Sequence, residues 1–381
     1  MLPAAITSAA LITALLLIWL GYPALIAALA AIRGRRPVGE EGAAVVGPMP
    51  TLSAVVASAD DADAIRARVA NLLDTDYPAH LLEVIVAIDA VNGRATPETL
   101  RFDDPRVRVV MGDQPGGKAS TLNAGVRSAS GELLVFSDTH QRFDQRSIPV
   151  LARALVLDHR LGAVSGALAL SDGRSARTPA ELYWVMERRL RANEARLHSV
   201  VGVTGAVYAM RRALWAPLRE GLILDDLMIP MRLVLEGHRV GFAVDARAVD
   251  GRTFTARQEF RRKVRTLTGN VQLCAWLPGV LLPWRNPIWL QFVCHKLLRL
   301  LTPYLVLAIG LAMAWLIVAL LWRLGGWNAL LGAAIVSLAV IAIPFVRRRV
   351  LKQLEWLVLL QAAAVIGTYN GLRGRWAVWQ R

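Results

Sequence analysis

The stretch ELLVFSDTH, residues 132–140, carries an apolar run that stops at Ser137 and gives way to Asp138, Thr139 and His140. Consecutive apolar residues without polar alternation suit a strand covered on both faces. Short β-branched runs that read as buried strands stand at 53–57, 83–88 and 107–111, and helical patterns occupy 62–73, 119–128 and 148–157. Strands alternating with helices predict an α/β domain with a largely parallel sheet. Each predicted strand runs into polar or glycine residues: Asp60 and Asp61, then Asp89, then Gly116-Gly117-Lys118, then Asp138. Open α/β sheets bind ligands outside the carboxyl ends of their strands, so these four groups are expected to converge on one crevice. Separated acids with a glycine turn suit a phosphorylated ligand accompanied by a metal ion.

The flanks are of a different kind. Of 381 residues, 55% are hydrophobic, and the mean hydropathy is +0.41, too apolar for one ordinary soluble domain. The excess is localised. No charge occurs over 2–32, longer than the roughly 20 residues that cross a bilayer core. Arg33, Arg35 and Arg36 follow that stretch and nothing basic precedes it, the reverse of a cleaved signal peptide. The positive-inside rule keeps what comes next in the cytoplasm. Residues 33–50, rich in Gly, Pro and Glu from 38 onward, read as a linker, and 51–256 as the α/β domain.

From 257 the basic stretch 257–265 is followed by Trp276, Trp284 and Trp289 among prolines and leucines. That mixture predicts amphipathic helices in the membrane interface over 257–300. Residues 301–381 form a transmembrane region with crossings expected at 303–321 and 327–345. The stretch 354–372 either crosses as well or lies re-entrant or interfacial, because a crossing would carry Arg373, Arg375 and Arg381 to the side that usually lacks them.

A net charge of +15 raises nucleic acid as a partner, but no zinc-finger spacing, basic heptad or RNA-binding motif accompanies it. Arginines gather beside apolar runs, as at Arg347, Arg348 and Arg349, so membrane lipids are the expected partner and nucleic acid is not. Cys274 and Cys294 are assigned neither disulfide nor metal.

The segments Asp76-Tyr77-Pro78, Gly116-Gly117-Lys118 with Leu122-Asn123, Val135-Phe136-Ser137-Asp138, Thr204-Gly205-Ala206 and Ile223-Leu224-Asp225-Asp226 resemble, in order and spacing, the membrane-bound family 2 glycosyltransferases related to cellulose and hyaluronan synthases. The resemblance covers nearly the whole chain and implies a GT-A fold, an inverting transfer from a nucleotide-sugar donor, with UDP expected, and a divalent Mg or Mn cofactor. It implies a lipid-linked or saccharide acceptor and a multi-pass protein of the plasma or inner membrane with its catalytic domain in the cytoplasm. Cell-surface or extracellular polysaccharide or glycolipid synthesis is the expected setting.

The same resemblance distributes roles. Asp138-Thr139-His140 stands where the family carries Asp-x-Asp, so Asp138 and His140 are the metal candidates, with imidazole replacing the second acid. Asp60, Asp61, Asp89, Gly117, Lys118 and Asp138 fall on the donor side. Ala59 and the turn 90–93 depart from the usual pattern there, and Asp89 also suits a helix N-cap. Asp226 matches the general base that removes the acceptor's proton, though it also suits a helix cap. Thr204, Gly205, Asp225, Arg262 and Arg265 are the acceptor-side candidates. Thr266 replaces the tryptophan of the family's Gln-x-x-Arg-Trp, which removes a ring that would stack on a growing chain. Two other classes compete: a catalytically silent scaffold that keeps nucleotide-sugar binding, and a transporter. The long enzyme-like insert and the lack of charge inside the expected crossings oppose the transporter.

Overall fold

The computed structural model describes residues 2–36, 48–169, 179–252 and 255–377. Most of the expected linker lies outside them. The chain forms two units, one of residues 25–253 with 272–292, the other of 1–24, 254–271 and 293–381.

The first unit is built on one eight-stranded sheet. Its strands are β1 (Leu52–Ser58), β2 (Leu82–Ile88), β3 (Val107–Met111), β4 (Leu133–Ser137), β5 (Arg142–Phe143), β6 (Leu161–Ala169), β7 (Tyr208–Arg211) and β8 (Arg239–Val249). They lie in the order β3-β2-β1-β4-β7-β6-β8-β5. β3, β2, β1 and β4 are mutually parallel, as the sequence predicts. β7 runs antiparallel to both β4 and β6, and β6 pairs parallel with β8. All five residues of β4 are buried, the consequence of an apolar run set in mid-sheet.

Helix Ala62–Leu73 turns Ile65, Arg68, Val69 and Leu72 into the core, the i, i+3, i+4, i+7 face of an amphipathic helix. Helices Lys118–Arg127 and Asp225–Leu235 begin beside the strand ends, after a glycine pair and after Leu224 respectively. Their amino-terminal turns favour negative charge. The helix over residues 2–33 begins in the other unit, but its later part belongs here, where Ile26 and Ala30 are buried.

In the second unit, Trp19 Nε1 donates to Thr302 Oγ1 at 3.1 Å, and the Arg299 guanidinium stands 4.7 Å from the Trp19 ring. Among the described residues three helical stretches, Pro3–Arg33, Trp289–Ala342 and Pro344–Leu372, are long and apolar enough to cross a membrane. The middle one breaks at Gly325–Gly326, where Gly326 has φ +52°. The crossing expected at 327–345 is shorter as a helix: it stops at Ala342 because Ile343 is extended and Pro344 starts the next helix. About 24 Å of helix remains after the break. Gly367 and Gly371 press helix Pro344–Leu372 onto helix Ala256–Trp276. A Cβ at Gly367 would stand 2.7 Å from the Cβ of Leu267, and one at Gly371 would stand 2.4 Å from that of Val271. This is close packing through a small-xxx-small pair.

Candidate active site

The strand ends do meet. After β1, Asp61 caps the next helix, its Oδ1 accepting the Ala64 N–H at 3.0 Å, and that bond lowers its pKa. Asp60 turns the other way: Oδ1 accepts from Arg94 Nη2 at 3.1 Å, and Oδ2 lies 3.3 Å from His140 Nε2. The exits of β1 and β4 are thereby joined, and Thr139 Oγ1 donates to Ser58 Oγ at 2.9 Å beneath them.

Asp89, after β2, is buried and spent on the backbone. Its Oδ1 accepts the N–H groups of Val91 and Asn92 at 2.9 and 2.7 Å, and its Oδ2 accepts that of Gly117 at 2.7 Å. Burial acts to raise its pKa, but these bonds outweigh it and hold the carboxylate below its usual value. Gly116 and Gly117 have φ of +85° and +87°, where L side chains are strained. A Cβ at Gly116 would also come within 2.8 Å of Val91. The turn delivers Lys118, whose Nζ lies 3.4 Å from Asp138 Oδ1 and 3.2 Å from Asp225 Oδ1. Partial burial alone would lower the ammonium's pKa, but Asp138, Asp225 and Asp226 raise it well above its ordinary value. One cation thus joins the carboxylate that follows β4 to the helix that carries Asp226.

Asp225 and Asp226 open helix Asp225–Leu235. The loop before them is held by the buried Gln272, which accepts the Ile223 N–H and donates to the Gly221 carbonyl, both at 2.9 Å. Gly205 lies against Asp226, and Val203 N donates to the Asp226 carbonyl at 2.9 Å. The Thr204–Gly205 loop is tied from behind by Arg191, which donates to Thr204 Oγ1 at 2.8 Å, the Gly202 carbonyl at 2.7 Å and Ser165 Oγ at 3.1 Å. Tyr208, buried in β7, stacks on Phe136 with centroids 4.7 Å apart. Burial raises its pKa well above normal, and Asp225, Asp226 and Asp138 push the same way.

The structure therefore brings Asp60 to His140, Asp89 to Gly117, Lys118 to Asp138 and Asp225, and Gly205 to Asp226. Arg262 and Arg265 sit on the part of helix Ala256–Trp276 that belongs to the other unit. Arg68, Arg191, Gln272 and Tyr208 were not legible as site residues, because a lone polar residue in an amphipathic helix or strand carries no distinguishing spacing. Among the described residues no group of three or more His, Cys, Asp or Glu is gathered for a metal. Asp138 and His140 offer one carboxylate and one imidazole, a donor set that fits an ion taking most of its ligands from phosphate oxygens.

A model of the glycosyltransferase-like family 2 matches residues 50–271. The probable glycosyltransferase YdaM of Bacillus subtilis strain 168 is 20% identical over 235 residues, which are 58% of this chain and 56% of that protein. The chain thus spans little more than half the length of that curated relative. The mannosyltransferase PcManGT from Pyrobaculum calidifontis, solved in complex with GDP-Man and Mn2+, matches with a TM-score of 0.67 at 20% identity, covering 97% of this chain and 99% of that one. At that identity the likeness is one of fold, and it bears out the GT-A architecture expected from the sequence.

Proposed function

The chain belongs to the glycosyltransferase-like family 2, and from that premise we propose an inverting transfer of a sugar from a nucleoside diphosphate, UDP being the expected nucleotide, to a hydroxyl of a lipid-linked or saccharide acceptor at the membrane. The observation that carries this reading is the Lys118 bridge, 3.4 Å from Asp138 and 3.2 Å from Asp225. It brings the strand end that suits a diphosphate within one side chain of the paired acids that suit an incoming hydroxyl.

In the reaction the acceptor oxygen bonds to the anomeric carbon from the face opposite the nucleotide as the bond to the diphosphate oxygen breaks. Asp226 takes the hydroxyl proton. Lys118 offers a point charge to the diphosphate, and Gly117 permits its close approach. Asp138 and His140 would hold Mg2+ or Mn2+, which when bound offsets charge developing on the departing diphosphate. Asp60 orients His140, and Asp89 keeps the glycine turn in place.

Beyond the domain, the apolar helices support a multi-pass protein of the plasma or inner membrane with its domain in the cytoplasm, serving cell-surface polysaccharide or glycolipid synthesis. Thr266 supports a short product. Besides lacking a ring, its hydroxyl donates back to the Arg262 carbonyl at 2.9 Å, so it is spent within its own helix.

The test is to incubate the purified full-length protein with a panel of nucleotide sugars, Mn2+ and membrane lipid extract, and to measure free nucleoside diphosphate. Release from one donor is expected. Tight donor binding without release from any of them would leave a silent scaffold and overturn the proposed reaction.

A further inference from the structure

Helix Ala62–Leu73 points four residues into the core, and three of them are Ile65, Val69 and Leu72. The fourth is Arg68, 0% exposed. Its guanidinium lies behind the turn that carries Asp138 and His140. Nε donates to Ser137 Oγ at 2.7 Å, and Ser137 Oγ in turn donates to the Asp138 carbonyl at 2.9 Å. Nη1 donates to the Gln141 carbonyl at 2.7 Å and also to Asn71 Oδ1. Residues 137 and 141 bracket Asp138-Thr139-His140, so one planar group grips both ends of the turn. The Gln141 side chain is fixed as well, donating to Asp250 at 2.8 Å.

These partners are all neutral, and Nη2 is buried with no hydrogen-bond partner among the described residues. The Phe143 ring, 4.1 Å from the guanidinium carbon, supplies the remaining contact. A buried charge without a carboxylate in direct contact is expensive, and an apolar side chain of similar volume is often as stable or more so. Stability alone does not account for an arginine here. Burial brings its pKa down to about 9, Arg142 adds to that, and Asp138 is the acid that works against them.

We propose that Arg68 is a positioning residue for donor binding: it sets the Asp138–His140 turn in the shape that receives a nucleoside diphosphate and its divalent ion. This rests on the donor-side role of Asp138 and His140 set out above. Groups that orient a metal's ligands typically carry ten- to a hundredfold of its affinity, and an effect of that order is expected here.

The experiment uses the full chain in detergent and its Arg68→Met, Arg68→Lys and Ser137→Ala variants. UDP and GDP, each with and without Mn2+, are titrated calorimetrically, alongside thermal melts and steady-state kinetics. The Met variant keeps its melting temperature but binds the Mn2+–nucleotide at least about tenfold more weakly. Its KM for donor rises while kcat at saturation changes less than about threefold. Lysine recovers part of the affinity. Ser137→Ala, which removes the relay to Asp138 and little volume, shows a smaller loss in the same direction and carries the test if the Met variant does not fold. A wild type that ignores both nucleotides with Mn2+ overturns the donor-side reading and this proposal with it. A wild type that binds, equalled in affinity and KM by variants that fold, overturns the role of Arg68 alone, whatever their melting temperatures.

Discussion

Gly205 faces Asp226 so closely that a Cβ on the glycine would lie 3.3 Å from the Cβ of Asp226 and 3.4 Å from its Oδ2. Any side chain at 205 must push the carboxylate aside by a few tenths of an ångström. A 1 Å misplacement of a reacting group can cost about a hundredfold in rate. Gly205→Ala is therefore expected to lower kcat by about tenfold and Gly205→Val by roughly a hundredfold, with nucleotide affinity unchanged. Kinetics beside a nucleotide titration check this, and an alanine variant with wild-type kcat would contradict it.

Asp226→Asn keeps the shape of the side chain and removes its capacity to take a proton. Removing a general base costs on the order of 10² to 10⁴ in rate, and that loss is expected with folding and nucleotide binding intact. If more than about a tenth of the activity survives, another group is the base.

For the metal, Asp138→Ala is expected to abolish the Mn2+ dependence of nucleotide binding. His140→Ala weakens it, and His140→Asp restores or improves it by supplying the carboxylate that more often sits there. Nucleotide affinity measured with and without chelator decides the matter. Equal values in the wild type would remove both residues from that role.

Product length is expected to be short, one or a few sugars per acceptor, because Thr266 offers no ring. A pulse of labelled donor, chased with excess unlabelled acceptor after initiation, measures it. Long polymer confined to the first acceptor would reverse this reading.

Glu83 supplies a pH dependence far from the chemistry. Burial acts to raise its pKa, but hydrogen bonds from Ser53, the Ser130 N–H and hydroxyl, and Arg108 bring it down to about 2 from 4.5. Because the folded-state value is depressed, its stabilisation is complete above about pH 4.5 and drains away as pH falls toward 2. Its side chain is only 18% exposed, so on the order of 3 kcal/mol is involved. Glu83→Gln is expected to lower stability near neutral pH and to flatten the acid limb between about pH 5 and 2. Denaturation followed across pH tests this, and parallel acid limbs would refute it.

The parallel half of the sheet was readable because β1, β2 and β4 are mostly apolar runs that lead to residues with chemistry, whereas β3, VRVVM, carries Arg108 and lies half-exposed at the sheet edge instead of being buried. β6 and β8 were not readable. LGAVSGALA and RVGFAVDARAV mix alanine, glycine and arginine, residues with little strand preference of their own, and their pairing is made by tertiary contact. Asp226, Lys118 and Asp138 stood out by their place in quoted motifs. Arg68 shows the limit: an arginine among Ile65, Val69 and Leu72 reads as the edge of a solvated face until the fold puts it underneath. Asp89 shows another. Its place at a strand end suited both a ligand and a backbone cap, and its hydrogen bonds come from the backbone N–H groups of Val91, Asn92 and Gly117.

The contact of Gly367 and Gly371 with Leu267 and Val271 bears on topology. On the proposed membrane placement, the helix bearing Leu267 and Val271 lies at the cytoplasmic surface, so residues 367–371 reach that surface too. Thr302 is tied to Trp19, on the helix that leads into the α/β domain. On that placement both ends of the segment from 302 to 372 would lie on one side, which an even number of crossings would satisfy. The short helix after Gly326, which falls below the roughly 30 Å of a bilayer core, is the natural place for the chain to turn back. On the proposed placement Arg373 and Arg375 would face the cytoplasm, where the distribution of basic residues in membrane proteins puts them.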